Sequence, residues 1–129
     1  MKIIWVNGCF DVLHRGHVEM LKYAKSLGDY LIVGIDADWR VEELKGNNRP
    51  FNNEIDRKFM LESIKFVDEV VIFETESELS GLIYKLRPSK MVVGSDYKDK
   101  RVIGSKYSNE VVFFDRIGNY STTKILEEK

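Results

Sequence analysis

Residues 1–28 read MKIIWVNGCFDVLHRGHVEMLKYAKSLG and contain the pattern that decides the fold. The apolar stretch Lys2–Asn7 is typical of a strand, and a helical apolar stripe follows over His17–Leu27, just before Gly28. A glycine turn with two histidines, His14 and His17, lies between them. Glycine lets the backbone approach an anion closely, and a helix N-terminus offers unpaired N–H groups. We therefore expect phosphate to bind at this turn.

The rest of the chain alternates strands and helices. Strands are predicted at Tyr30–Ile35, Val67–Phe73, Lys90–Gly94 and Glu110–Phe114. Helices are predicted over Glu54–Ile64, with its apolar side chains Ile55, Phe59, Met60 and Ile64 facing the core, and over Ser77–Leu86 and Ser121–Glu127. This order predicts an α/β protein: one Rossmann-like domain, residues 1–129, with a five-stranded parallel sheet and helices on both faces. Ligands of such folds bind beyond the carboxyl ends of the strands, at the switch point of the sheet.

The composition limits the classes of protein to which this chain can belong. The chain has 129 residues and a net charge of −1, which gives no general reason to expect a nucleic-acid partner. Cys9 is the only cysteine, so an intrachain disulfide is impossible, and we expect no metal held by a cluster of protein ligands. No apolar run reaches membrane-spanning length, and no signal-peptide pattern opens the sequence. We expect a cytoplasmic protein that is not inserted in a membrane.

Two further segments have the chemistry of phosphate ligands. Ser121, Thr122 and Thr123 open a predicted helix, where hydroxyls and free N–H groups occur together; plain N-capping is the alternative. Lys45 and Arg49 lie in a loop shaped by glycine and proline, and solvated surface charge is the alternative there. A lysine is a compact, mobile charge that suits the β- and γ-phosphates of a nucleotide.

The run Gly8–His17 fits the frame G-x-F-D-x-L-H-x-G-H. It resembles the HxGH signature of the nucleotidyltransferases of the cytidylyltransferase-like superfamily, and the Ser-Thr-Thr segment resembles the part that holds the triphosphate. The resemblance implies catalytic roles for His14, His17, Lys45 and Thr122. It also implies nucleotide contacts from these residues and from Asn7, Gly8, Cys9, Phe10, Asp11, Gly16, Gly94, Asp96, Arg116, Ser121 and Thr123. Cys9 is interpreted as part of the wall of the site, not as a nucleophile.

The resemblance also implies how the second substrate is bound. Arg57 looks like the arginine that these enzymes direct at the phosphate of the acceptor, and a guanidinium fork matches phosphate geometry. Asp11, Lys45 and Arg49 are the other predicted substrate contacts. Asp96 follows the fourth predicted strand and is expected at the base or ribose; a turn-forming Asx residue is the alternative.

Two substrate classes compete within the superfamily. Residues 44–50 (L-K-G-x-x-R-P), 94–98 (G-x-D-Y-K) and 104–106 (G-S-K) resemble the adenylyltransferase part of bacterial ADP-heptose synthases. This implies transfer from ATP to D-glycero-β-D-manno-heptose 1-phosphate. The short chain, residues 66–70 and Arg116 resemble glycerol-3-phosphate cytidylyltransferases, which use CTP. More segments favour the first class. In both, Mg²⁺ is expected on the phosphates, the partners are small molecules, and a homodimer is allowed.

Two other classes of protein are alternatives. A nucleotide-binding regulatory domain without turnover would not need both imidazoles. A flavodoxin-like electron-transfer protein fits the alternation of strands and helices but leaves the two histidines and the Ser-Thr-Thr segment unexplained. The sequence therefore favours an enzyme.

Overall fold

Strands and helices alternate along the part of the chain that the computed structural model describes, residues 1–115. The strands are β1 (Ile3–Gly8), β2 (Tyr30–Asp36), β3 (Glu69–Phe73), β4 (Lys90–Gly94) and β5 (Glu110–Phe114). The helices are α1 (Arg15–Ser26), α2 (Asp38–Lys45), α3 (Glu54–Glu62) and α4 (Glu76–Leu86), with short 3₁₀ turns at Ser95–Tyr97 and Ser105–Tyr107. The predicted helix Ser121–Glu127 lies outside the described residues.

The five strands form one sheet in the order β3-β2-β1-β4-β5, and every pairing is parallel. The predicted five-stranded parallel sheet is thereby confirmed. From β1 the chain builds the sheet outward through β2 and β3, then returns to the other side of β1 for β4 and β5. The carboxyl ends of β1 and β4 are therefore the switch point, where a parallel sheet opens a crevice.

Helices cover both faces of the sheet because its strands alternate in the direction of their side chains. On one face, Ile4, Val6 and Val33 pack with buried residues of α1 and α3, which are Leu21, Ala24 and Leu61. On the other face, Trp5, Ile32 and Met91 pack with buried residues of α4, which are Leu79 and Ile83. The predicted arrangement of helices on both faces is confirmed.

Trp5 sits against the backbone of its neighbouring strand. Its side chain is fully buried, and its indole Nε1 donates a hydrogen bond to Oδ1 of Asn7 at 2.8 Å. A Cβ on Gly34 would lie 2.5 Å from Cζ2 of this indole. Only glycine at position 34 lets the indole lie flat over β2, and this packing also orients Asn7 near the end of β1.

Helix α2 does not appear in the sequence prediction. Val41 is its one buried residue among eight, so the segment has no apolar stripe that would mark it as helical. The helix nevertheless places Arg40 and Lys45 beside the carboxyl ends of the strands.

Helix α3 turns the opposite face inward from the one predicted. Ile55, Phe59 and Met60, expected in the core, are 66%, 67% and 51% exposed, whereas Arg57 and Leu61 are buried. The prediction for those three side chains is wrong, while Ile64 does pack against the core as expected. The buried face of α3 contains an arginine, a residue that hydropathy places on the exposed face of a helix. Its burial is possible because hydrogen bonds satisfy the guanidinium.

Candidate active site

A cleft of about 660 Å³ opens at the carboxyl ends of β1 and β4. The predicted site residues that line it from β1 and the following turn are Asn7, Gly8, Cys9, Phe10, Asp11, His14, Gly16 and His17. Those that line it from other segments are Lys45, Arg49, Gly94 and Asp96. Arg116, Ser121, Thr122 and Thr123 lie outside the described residues. The topology thus brings together predicted site residues that are up to 89 residues apart in the chain, from Asn7 to Asp96.

The two histidines lie side by side at the start of α1. His14 is the N-cap residue with an extended backbone, so the helix begins at Arg15, two residues before the predicted start. The backbone N–H of His14 donates to Nδ1 of His17 at 3.3 Å, and the two rings stack with centroids 3.8 Å apart. Because Nδ1 accepts, the proton of a neutral His17 ring lies on Nε2. The helix start therefore combines backbone N–H groups with two imidazoles, a combination suited to an anion.

Phe10 gives the turn its shape. Its φ of 49° lies in the left-handed region, which is uncommon for a residue other than glycine. The ring is buried and lies 5.1 Å from the His17 ring between centroids. A Cβ on Gly8 would come within 3.2 Å of the Phe10 ring. The turn between β1 and α1 is thus packed closely around the side of His17, which limits how far that imidazole can move.

Cys9 faces a carboxylate inside the cleft. Its thiol donates to Oδ2 of Asp36 at 3.4 Å. Burial, together with the charge of Asp36 and this hydrogen bond, raises the pKa of the Cys9 thiol to about 12, although Lys45 and Arg57 act in the opposite direction. The thiol is therefore protonated at neutral pH and is a poor nucleophile. This supports the interpretation of Cys9 as part of the wall of the site and not as a nucleophile.

Asp11 is buried, and its carboxylate is directed at a loop of the protein. Oδ2 accepts from Nε of Arg49 at 2.7 Å and from the amide of Phe51 at 2.8 Å, while Oδ1 accepts from the amide of Asn52 at 2.8 Å. Burial opposes ionisation, but the amides of Asn52 and Phe51 and the Arg49 guanidinium outweigh it and hold the pKa of Asp11 below its usual range. The carboxylate is thus held by groups of the protein, and its expected contact with nucleotide or acceptor stays a prediction.

The side chain of Arg57 is buried inside the protein, beside the cleft residues Cys9 and Asp36. Its side chain is 1% exposed and lies outside the lining of the cleft. Nη1 donates to the carbonyl oxygens of Cys9 and Asp36 at 2.9 and 2.7 Å, Nη2 to Oδ1 of Asp38 at 2.8 Å, and Nε to the carbonyl oxygen of Asn52 at 3.0 Å. Protein oxygens thus accept from all three guanidinium nitrogens, and the expected contact with an acceptor phosphate stays a prediction.

A charged pair that the sequence analysis did not predict, Arg40 and Asp36, lies on the opposite wall of the cleft. Nε of Arg40 donates to Oδ1 of Asp36 at 2.9 Å, and its guanidinium carbon lies 5.4 Å from the centroid of the Phe73 ring. Both charged residues line the cleft. An acidic residue at a strand end with an arginine four positions later was the available signal, but it is informative only once α2 is known to be helical. Lys45 ends the same helix and is exposed to the cleft.

The loop after β4 closes the other side of the cleft. Gly94 is followed by the 3₁₀ turn Ser95–Tyr97, and Oδ1 of Asp96 folds back to within 2.7 Å of the position of a Cβ on Gly94. Any larger residue at position 94 would displace Asp96 from this place. The position of Asp96 on the lining is compatible with the predicted contact to base or ribose.

The described residues contain no group of three or more His, Cys, Asp or Glu side chains arranged to hold a metal ion. The two buried carboxylates of the cleft, Asp11 and Asp36, are already hydrogen-bonded to protein groups. Over residues 1–115, no helix combines the length and the apolar character that crossing a membrane requires.

Comparison with known proteins identifies relatives of the whole chain. The family model described as Cytidylyltransferase-like matches residues 5–128. The bifunctional protein HldE of Helicobacter acinonychis (strain Sheeba) is 46% identical, and that of Campylobacter jejuni (strain RM1221) 48% identical, each over 98% of this chain. The chain spans about a quarter, 27%, of the length of these curated relatives.

Solved structures agree with this assignment. The lipopolysaccharide core biosynthesis protein from Thermoplasma volcanium GSS1 has a TM-score of 0.71 at 26% identity, covering 94% of this chain and 99% of that one. A bifunctional NMN adenylyltransferase/ADP ribose pyrophosphatase from Francisella tularensis has a TM-score of 0.72 at 20% identity, covering 98% and 41%, and shares the fold. The predicted family is confirmed: the chain belongs to the cytidylyltransferase-like family.

Proposed function

We propose that this chain is a nucleotidyltransferase that transfers the adenylyl group of ATP to D-glycero-β-D-manno-heptose 1-phosphate, forming ADP-heptose and pyrophosphate. The observation that carries the proposal is the pair of stacked imidazoles at the N-terminus of α1, in a cleft at the switch point of the sheet. The choice of substrates is supported by residues 44–50, 94–98 and 104–106 and by the identity of 46–48% to the bifunctional proteins HldE.

The reaction needs charge stabilisation more than acid–base chemistry. A phosphate oxygen of the acceptor attacks the α-phosphorus of the nucleotide, the bond from that phosphorus to the bridging oxygen breaks, and pyrophosphate leaves with the electron pair. His14, His17 and the first N–H groups of α1 would stabilise the charge that develops on the α-phosphate. Lys45 and the Ser121–Thr123 segment would hold the β- and γ-phosphates, with Arg116 as a further phosphate contact.

The wall of the site would fix the nucleotide without taking part in bond changes. Asn7, Gly8, Cys9 and Phe10 offer backbone groups and packing surface along the end of β1. Magnesium would enter with the triphosphate and neutralise its oxygens, since the described part of the chain lacks a carboxylate cluster to hold the ion.

The second candidate is transfer from CTP to glycerol 3-phosphate. Arg116, five residues before Ser121, and the stretch at 66–70 favour it. The test is pyrophosphate release over a grid of four nucleoside triphosphates and several sugar and polyol phosphates. We expect ATP with the heptose 1-phosphate to exceed CTP with glycerol 3-phosphate by a large factor, because a site built for one base edge leaves polar groups unpaired with the other. A clear preference for CTP selects the second candidate, and no release with any pair indicates a binding domain without turnover.

We also propose that a second copy of the chain covers the outer side of α3. Phe51, Ile55, Phe59 and Met60 form this α3 patch and are 68%, 66%, 67% and 51% exposed. Their exposed area is about 450 Å² per chain, at the size where apolar patches on monomers are often functional. Two such patches with a polar rim approach the area of a stable dimer, roughly 1,200 Å².

The charged residues beside the α3 patch favour a second copy of the chain as its partner over a strongly charged protein. The same helix carries the acidic residues Asp56 and Glu62 and the basic residue Lys58, so both signs border the α3 patch. A surface of mixed sign is self-complementary when two copies meet about a two-fold axis.

A further inference from the structure

The segment between α2 and α3, residues 46–53, has no helix or strand of its own. It follows Lys45 directly and contains Arg49, and both of these cations line the cleft. Its backbone makes a local turn, with the amide of Arg49 donating to the carbonyl oxygen of Gly46 at 3.1 Å. The sheet therefore does not set the position of this segment relative to the histidines, and side-chain contacts must do so.

Asp11 lies in the histidine turn, which is residues 9–14 between β1 and α1, and holds the segment from that side. Its carboxylate receives the amides of Phe51 and Asn52 and the Nε of Arg49, all within 2.8 Å. The side chain of Asn52 adds a hydrogen bond in the same direction, since its Nδ2 donates to the carbonyl oxygen of Asp11 at 2.8 Å. Residue 11 is thus joined to the segment by four hydrogen bonds, three residues before His14.

Arg57 holds the same segment from α3. Its Nε donates to the carbonyl oxygen of Asn52, so Asn52 is fixed by Asp11 on one side and by Arg57 on the other. The two Nη atoms reach the carbonyl oxygens of Cys9 and Asp36 and the carboxylate of Asp38. One buried guanidinium therefore joins the ends of β1 and β2, the start of α2 and the segment.

We propose that Asp11 and Arg57 are positioning residues that fasten residues 49–52 to the histidine turn and thereby set the placement of Lys45 and Arg49 across the cleft from His14 and His17. This proposal rests on the proposed function. Both side chains are directed at protein groups: amides and Arg49 donate to the Asp11 carboxylate, and the Arg57 guanidinium donates to carbonyl and carboxylate oxygens. A planar fork with several fixed donors is needed at position 57, and a lysine ammonium cannot reproduce it.

The conservative variants Asp11→Asn and Arg57→Lys test the proposal. Native-state hydrogen exchange should show the amides of Phe51 and Asn52 exchanging at least about ten times faster in Asp11→Asn, because one acceptor oxygen is lost, while amides of the sheet are unchanged. Turnover at saturating substrates should fall about 10- to 100-fold in both variants, the cost of a small misplacement of catalytic groups. Glu43→Gln and Lys85→Gln, which remove exposed charges of α2 and α4, are the matched controls and should change neither quantity.

The double variant separates positioning from independent effects. If both side chains act through residues 49–52, Asp11→Asn with Arg57→Lys should lose much less activity than the product of the two single losses. Multiplicative losses overturn the proposal, as does a loss of turnover in Asp11→Asn with unchanged exchange at Phe51 and Asn52, since Asp11 would then act on substrate directly.

The exchange measurement also separates this proposal from the proposed function. If the wild-type chain releases no pyrophosphate with any substrate pair, the proposed function fails, and exchange at 51–52 still reports whether Asp11 fastens the segment. If Arg57→Lys does not fold, as shown by loss of the cooperative unfolding transition, Asp11→Asn alone decides: faster exchange with lower turnover supports the proposal, and faster exchange with unchanged turnover overturns it.

Discussion

At the scale of single residues, the proposed function gives His17 a role in the rate of the reaction. Its Nδ1 accepts from the backbone N–H of His14, so a neutral ring can donate a hydrogen bond only through Nε2. That hydrogen bond would strengthen only as charge develops on the α-phosphate. An imidazole placed in this way contributes to the transition state more than to the binding of the nucleotide.

We expect His17→Ala to lower turnover about 100- to 1,000-fold while nucleotide affinity changes little, because one donor to the developing charge is lost. Steady-state pyrophosphate release and a separate nucleotide titration measure the two quantities. Arg15→Gln is the control, since Arg15 lies on the same helix turn but pairs at the surface with Glu19. A collapse of affinity with an intact rate at saturation would show that His17 is a ground-state ligand instead.

Cys9 is predicted to react slowly with alkylating agents. With the pKa raised from 9.0 to about 12, the thiolate fraction at pH 8 falls about 1,000-fold below that of an ordinary cysteine. Iodoacetamide labelling followed by mass spectrometry should therefore be far slower in the native protein than in urea. Asp36→Asn should speed native labelling, because removing the carboxylate charge lowers the pKa of the thiol. Rapid labelling of the native wild-type protein would contradict the assigned environment of Cys9.

At the scale of secondary-structure elements, the contact between β1 and β2 depends on one glycine. Gly34→Ala would place a Cβ 2.5 Å from the buried indole of Trp5, which cannot move without disturbing the α4 side of the core. We expect a loss of about 1–3 kcal/mol in the free energy of unfolding, measured by urea denaturation.

Gly81→Ala is the matched control for that prediction. Gly81 lies in the middle of α4, is exposed, and has nothing within 4 Å of the position of a Cβ. Alanine there should stabilise the protein by up to about 1 kcal/mol, because glycine is a poor helix former. If both variants destabilise the protein equally, the packing of Trp5 is not the cause of the first effect.

Helix α3 shows how one element serves two surfaces. Its inner side gives Arg57 to the ends of β1 and β2, and its outer side gives Ile55, Phe59 and Met60 to the α3 patch. A contact made on the outer side can therefore affect the candidate active site through the position of a single short helix.

At the scale of the whole molecule, the proposed second copy predicts a mass that depends on concentration. Size-exclusion chromatography with light scattering should show a dimer for the wild-type chain and a shift towards monomer for Phe59→Glu, which puts a charge into the α3 patch. Tyr84→Glu makes the same change of charge at a 53% exposed ring of α4, on the other side of the sheet, and should leave the mass unchanged. A wild-type chain that stays monomeric at high concentration would contradict the proposal.

The order of the strands decides where the candidate active site lies. With β1 in the centre, the turn after β1 and the loop after β4 meet at the switch point, and the cleft forms between them. The alternation of strands and helices was sufficient to predict this meeting, because short parallel crossovers leave few alternative topologies.

Local sequence was enough to predict the strand, turn and helix of residues 2–27, the parallel sheet, the family and about half of the residues that line the cleft. These are encoded in local patterns: apolar periodicity, turn residues and the spacing of the two histidines. The sequence also predicted that Arg116 and Ser121–Thr123 bind phosphate; these residues lie outside the described structure, and their role stays a prediction.

Only the tertiary structure decided which way α3 faces, that α2 is a helix, and what Asp11 and Arg57 bind. Two apolar stripes compete on α3, and the buried one includes an arginine. The partners that make this burial favourable are carbonyl oxygens of Cys9 and Asp36, 48 and 21 residues away. A buried charge is tolerated only where such partners converge, and their convergence is a property of the assembled fold, not of any stretch of sequence.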